Sequence, residues 1–191
     1  MKSVGHCAMT LLLTLGISSC RKTGDARPEG PDAGWQSFAS PEGGFSVLMP
    51  GKPTCEAVAV PRAYHPAVPE KSVQSTACSY EDAGIPAFYS DAWWDYPDQA
   101  HADEGVLDHV VDYVMSNKEV EWKKEISMDG NPGREFRGTY SSEGHTAVVQ
   151  FRFYLVKGRI YQFGVFGNKK AFAPGKVDKF LDSFKLIQPH S

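Results

Sequence analysis

The chain has 191 residues, a formal net charge of −3 and 41% hydrophobic side chains. That length accommodates one domain with a sizeable core, and the slight acidic excess excludes the strongly basic surface that nucleic acid requires. No second long apolar run, heptad array or internal repeat follows the N-terminal segment, so no solenoid or coiled coil is expected.

Met1 to His6 carries one lysine and no acid, and Cys7 to Ile17 is apolar or small at almost every position. A membrane-spanning helix needs about 20 apolar residues, so this run of about eleven is too short to persist as a span and reads as an export signal. Ile17-Ser18-Ser19-Cys20 then resembles the lipobox of bacterial lipoprotein signals. The resemblance implies cleavage after Ser19 and a lipid on Cys20, making residues 1–19 a lipoprotein signal peptide. An ordinary secretory signal with Cys20 merely nearby is the other reading of the same residues. Arg21 to Gly34 is rich in Gly, Pro and charge without apolar periodicity, so residues 20–34 are expected to be the lipidated cysteine and a flexible tether. Residues 35–191 would form a single globular domain.

Within that domain, Phe45 to Met49 is a short strand stopped by Pro50-Gly51, and Thr54 to Val60 and Val73 to Glu81 follow as a facing pair across a proline-bearing loop. Pro86 to Tyr96, dominated by aromatic residues, is a fourth strand ended by Pro97. The spacing of Val106, Leu107, Val110, Val111, Val114 and Met115 predicts a helix over roughly 98–116 with one apolar stripe. Strands are then expected over 119–128, 133–141, 146–157 and 159–167, with Lys157-Gly158 as a tight hairpin turn. Both faces of 146–157 carry apolar groups, which predicts a central strand covered on both sides. Val177, Phe180, Leu181 and Phe184 recur at helical spacing, with Lys185 to Gln188 extended. Strands, a long helix, strands and a helix make an α+β class with a largely antiparallel sheet, packed by one long helix and a C-terminal helix.

Several stretches resemble a family of uncharacterised bacterial exported lipoproteins: Ser40-Pro41-Glu42-Gly43-Gly44-Phe45-Ser46-Val47-Leu48-Met49-Pro50-Gly51-Lys52-Pro53, Gly133-Arg134-Glu135-Phe136, Arg152-Phe153-Tyr154-Leu155-Val156 and Phe180-Leu181-Asp182-Ser183-Phe184-Lys185-Leu186. The resemblance spans Trp35 to Ile187 and implies a PsbP-like fold, an antiparallel sheet sandwiched by helices. Its PsbP members are noncatalytic extrinsic or assembly proteins of photosystem II. No photosynthetic functional residue carries over, and a shared fold does not transfer function.

Chemistry-bearing patterns are sparse. No Gly-x-Ser-x-Gly elbow or phosphate-binding glycine loop occurs, so no catalytic residue and no cofactor are expected. Asp91, Asp95, Asp98, His101, Asp103 and Glu104 are the densest group of metal-ligand types, but their spacing matches no standard site and reads as a solvated strand–helix junction. Cys7 leaves with the signal and Cys20 takes lipid, so Cys55 and Cys78 remain. On neighbouring antiparallel strands they can bridge, closing a loop of about 23 residues worth about 3 kcal/mol in the chain-entropy model. Two separately buried thiols are the alternative.

Trp93, Trp94, Tyr96 and Trp122 form an aromatic excess that core filling accounts for. Exposed beside the acids, Trp94 and Tyr96 would instead make a docking surface. Arg134 and Arg137, around Glu135 and Phe136, read either as a solvated strand face with Phe136 inward or as part of a partner patch. The leading expectation is a membrane-anchored, noncatalytic binding or accessory module of the bacterial cell envelope. Its partners would be membrane lipid through the acylated cysteine and an envelope protein, with no nucleic acid. An enzyme with a pocket of distant polar residues, or a purely structural envelope protein, are the alternatives.

Overall fold

In the computed structural model, which describes residues 34–64, 73–82, 87–142, 144–172 and 174–187, ten strands follow one another. They are β1 (Gln36–Ser40), β2 (Phe45–Met49), β3 (Thr54–Ala59), β4 (Gln74–Asp82), β5 (Ala87–Asp95), β6 (Glu119–Met128), β7 (Asn131–Ser142), β8 (His145–Val156), β9 (Arg159–Gly167) and β10 (Lys185–Leu186). Helix α1 (Glu104–Met115) separates β5 from β6, and α2 (Lys176–Leu181) precedes β10. Cys20 and the expected signal and tether lie outside the described residues. Among the described residues no helix is long and apolar enough to cross a membrane.

A seven-stranded sheet runs in the order β3-β4-β5-β9-β8-β7-β6, and a three-stranded one in the order β1-β2-β10. Every paired neighbour is antiparallel. The central position of β8 follows from its two apolar faces. Its hairpin to β9 closes through Lys157 (φ 50°) and Gly158 (φ 79°), a two-residue turn with both residues at positive φ. Glycine is required at 158 on a second count, because a Cβ there would lie 2.7 Å from Gln99 Cβ.

Each face of the large sheet has its own cover. On one, Leu107, Val110 and Val111 of α1 pack on Phe136, Val149, Phe153, Leu155 and Ile160. On the other, α2 and the small sheet bring Val177, Phe180, Leu181, Phe45, Val47 and Met49 onto Tyr89, Trp93, Tyr154, Phe163 and Val165. Phe184 anchors this side, stacking on Phe163 with ring centroids 4.3 Å apart and on Phe45 at 5.3 Å.

The α+β antiparallel architecture is the one its sequence predicts, with two local differences. β1 was not expected, since Phe38 is its one large apolar residue; pairing with β2 holds it. Helix α1 starts later than 98 because Asp103 caps it, its carboxylate accepting from Val106 N at 3.2 Å. Residues Gln99–His101 form a separate 3-10 turn before it.

Candidate functional site

Pairing register lines up one row of side chains across all seven strands. Cys55 faces Cys78, Cys78 faces Asp91, Asp91 faces Phe163, Phe163 faces Arg152, Arg152 faces Glu135, and Glu135 faces Lys124. Because cross-strand partners share a face, the whole row points toward α2. Cys55 and Cys78 are joined in a disulfide with their Cα atoms 4.0 Å apart.

Right of Phe163, the row is an ion-pair chain. Glu135 is buried; its Oε1 accepts from Gln150 Nε2 at 2.7 Å, and its Oε2 lies 3.0 Å from both Lys124 Nζ and Arg152 Nε. The Arg152 contact is an ion pair without hydrogen-bond alignment. Arg152 Nη1 also reaches Asp182, just past α2, at 2.8 Å. Desolvation pulls the Arg152 guanidinium down, but Glu135 and Asp182 outweigh it and its pKa lies above the ordinary value. The chain ties α2 to the sheet.

Left of Phe163, Asp91 stands differently. It is 2% exposed, and neither carboxylate oxygen has a hydrogen-bond partner among the described residues. Burial raises its pKa from 3.8 to about 8, so at neutral pH it is mostly a neutral acid.

The opposite face corrects the expected docking surface. Trp94, Tyr96 and Arg134 are 3%, 4% and 5% exposed. Trp93 and Trp94 point to opposite faces of β5 by strand parity, and both faces are covered, so neither ring reaches solvent. Arg134 and Phe136 share the α1 face, against the expectation that Phe136 alone turns inward. Beneath α1, Arg134 Nε and Nη2 donate to Asp108 at 2.7 and 3.1 Å, and Nη2 donates to Glu104 at 3.0 Å. The Arg134 hydrogen bond holds the Asp108 carboxyl below its usual pKa. Arg137 lies on the α2 face, paired with Glu121 at 3.0 Å and set over the Phe172 ring at 4.8 Å. These four residues therefore form no common surface.

The acidic group of residues 91–104 is likewise dispersed. Asp91 is in the core, rather than at a solvated junction. Asp95 holds Arg159 through two hydrogen bonds of 2.7 and 3.0 Å, Asp98 pairs with His101 at 2.8 Å, Asp103 caps α1 and Glu104 meets Arg134. Among the described residues no three His, Cys, Asp or Glu side chains converge as metal ligands. A shallow depression of about 330 Å³ lies beside the β8–β9 turn, lined by Asp95, Gln99, Lys157, Arg159 and Tyr161. Arg159 Nη1 donates there to the carbonyls of Glu42 and Gly43 at 2.9 and 3.2 Å, which fastens the β1–β2 turn to the large sheet.

What sequence reasoning missed is an apolar strip on the α1 face, beyond the end of the helix. Register places Phe88, Phe166, Val149, Gly138 and Val120 in one row, whose middle members Val149 and Gly138 are buried and whose ends emerge. Phe166 is 38% and Val120 41% exposed, and Tyr140 tilts against Phe166 at 6.3 Å. Gly164 leaves room for Phe151, whose ring would lie 2.4 Å from a Cβ at that position. The signal was present in the alternation of 159–167. α1, however, has only twelve residues, too few to cover strands of this length, and its reach could not be read before the packing was known.

No family model matches the sequence, and no curated protein matches it. Solved structures do. The solution structure of cyanobacterial PsbP (CyanoP) from Synechocystis sp. PCC 6803 matches with a TM-score of 0.50 and 14% identity, over 89% of this chain and 98% of that one. LpqN, involved in cell envelope biogenesis of Mycobacterium tuberculosis, matches with a TM-score of 0.44 and 12% identity, over 73% and 87%. A Pseudomonas aeruginosa protein of unknown function matches with a TM-score of 0.37 and 9% identity, over 74% and 85%. The likeness to CyanoP is one of fold, and the fold is PsbP-like.

Proposed function

We propose that the chain is a noncatalytic binding module of the bacterial cell envelope, tethered to a membrane by lipid on Cys20, and that it docks a protein through the apolar strip. The lipobox-like Ile17-Ser18-Ser19-Cys20 and the polar segment to Gly34 support the tether. The observation that carries the docking is Phe166, 38% exposed on the sheet, with Phe88 directly across from it and the Tyr140 ring 6.3 Å away. Large apolar side chains grouped at a surface mark interaction sites.

Charge favours a protein over a lipid surface as the occupant. The strip is bordered by Glu81, directly across from Phe88, and by Lys118, which sits over the Tyr140 ring at 5.8 Å. Mixed signs suit a protein rim, whereas an anionic bilayer calls for a basic cluster.

Photo-crosslinking in the native envelope tests this. A crosslinker at Phe166 should trap one discrete protein, and a crosslinker at exposed Glu56 on the far edge should not. Equal trapping at both positions, or trapping of lipid at Phe166, would overturn the docking reading. Mass spectrometry of the mature chain tests the tether separately, since an unacylated Cys20 would remove it.

A further inference from the structure

The left end of the polar row carries chemistry that docking does not use. Its parts are a disulfide with one exposed and one buried cysteine, and a buried acid beside the buried sulfur. Cys55 is exposed on β3, the edge strand of the large sheet. Cys78 is 1% exposed. Asp91 is the direct cross-strand neighbour of Cys78 on the side away from Cys55, where paired residues place their Cβ atoms about 4.5–5.5 Å apart.

We propose that the Cys55–Cys78 bridge is a reducible site for a protein dithiol, and that Asp91 is the acid that supplies Cys78 with its proton when the bridge opens.

The asymmetry fixes the direction of attack. A thiolate of the dithiol reaches Cys55 Sγ from the edge and forms a new S–S bond to it. The Cys55–Cys78 bond breaks, and its electron pair leaves on Cys78 Sγ. A thiolate in an apolar interior is costly, and burial raises a thiol's pKa. The Asp91 carboxyl therefore passes its proton to Cys78 Sγ, leaving a thiol and a carboxylate, and the carboxylate regains a proton from water. The dithiol's second thiolate then attacks its own sulfur in the mixed disulfide and frees Cys55, which takes a proton from water. Two electrons have moved to the bridge, and the reductant leaves as an internal disulfide.

The surroundings suit this role. Among the described residues no cation acts on Asp91, and burial is what shifts it. On its face the titratable neighbours are Tyr80 on β4, Tyr89 on β5 and Tyr161 on β9, with Arg152 beyond Phe163 and committed to Glu135 and Asp182. The small sheet and α2 bring Phe45, Val47, Met49 and Phe180 to the same side, and Lys179 of α2 lies over the Trp35 ring. An acid without hydrogen-bond partners in such a core destabilises the fold, so packing alone does not explain it.

Dithiothreitol is the probe. The full-length protein is reduced between about pH 6 and about pH 9, free thiols are trapped and counted by mass spectrometry, and rates are divided by the thiolate fraction of the reagent. At pH 7 wild type should be reduced about tenfold faster than Asp91→Asn, a gap below the usual range of enzymic general-acid effects. The gap should close as pH passes about 8, where Asp91 loses its proton. Equal rates at every pH would overturn the proposal. So would reduction that follows global unfolding in a urea series, which would make the bridge structural only. Should Asp91→Asn fail to fold, wild type still decides: its rate per thiolate should fall through pH 8, and a flat profile sinks the idea.

Discussion

The two faces of the large sheet bury charge in opposite ways. Under α1, Arg134 is buried but its carboxylates are not, since the Asp108 and Glu104 side chains are 41% and 62% exposed. Under α2, the acid is the buried partner: Glu135 is closed off, with Arg152 and Lys124 reaching in from the rim, and Asp91 is closed off with no partner among the described residues. The first arrangement leaves the carboxylates hydrated and lets a long cationic stem cover apolar surface. The second makes stability depend on what reaches the acid. pH should therefore act on the two faces with opposite signs.

The largest effect expected from that contrast is at Asp91. Its folded pKa of about 8 against an ordinary 3.8 means the folded chain keeps a proton that the unfolded chain has lost. Stability from this group is full below about pH 4 and falls as pH rises to about 8, by about 6 kcal/mol in all. Asp108 has the reverse sign: its lowered pKa adds stability above pH 4 that is lost on acidification. Urea unfolding across pH should show Asp91→Asn flattening the decline toward alkali while leaving the acid limb intact. A decline that survives the substitution breaks the contrast.

Next comes the aromatic stack around Phe184 on the α2 face, whose counterpart on the α1 face is the smaller group of Phe136, Phe151 and Phe153. Phe184→Ala should cost about 4 kcal/mol, because the rings of Phe163, Phe45, Tyr154 and Tyr161 all lean on it. The shift in urea midpoint measures it.

The ion pairs sharpen the comparison further. Arg152→Ala leaves the buried Glu135 to Lys124 and Gln150 and should cost about 2 kcal/mol, whereas Arg134→Ala leaves acids that water can reach and should cost about 1 kcal/mol. Equal losses would mean the two faces do not differ in the proposed way. The smallest effect belongs to the strip: Phe166→Ser should change stability by no more than about 0.5 kcal/mol while abolishing trapping by a crosslinker placed at neighbouring Phe88.

Period-two and period-3.6 patterns made most elements legible before the fold was known. The aromatic run of 86–96, the stripe of α1 and the Lys157-Gly158 turn all sit where local chemistry puts them. Fates that depend on the third dimension were not legible. Core filling and docking both stayed open for Trp94, and Arg134 looked available, because nothing in their own strands shows that a helix lies on top. Asp91 looked like one acid among five near a helix start; it shares a strand face with Asp95, but lies mid-strand in the core while Asp95 sits at the strand end with Arg159. The row from Cys55 to Lys124 depends on the register of six pairings at once, and no single segment contains it.

The closing of the small sheet by β10 has a consequence for synthesis. Leu186 pairs with Phe45, and Ile187 N donates to Gly44 O at 2.8 Å. A chain made from its amino end thus cannot seat Phe184 among its partner rings until residues 176–187 have emerged. Until then Phe45, Tyr154, Tyr161 and Phe163 lack that cover. Residues 176–187 act as the clasp that marks the product finished.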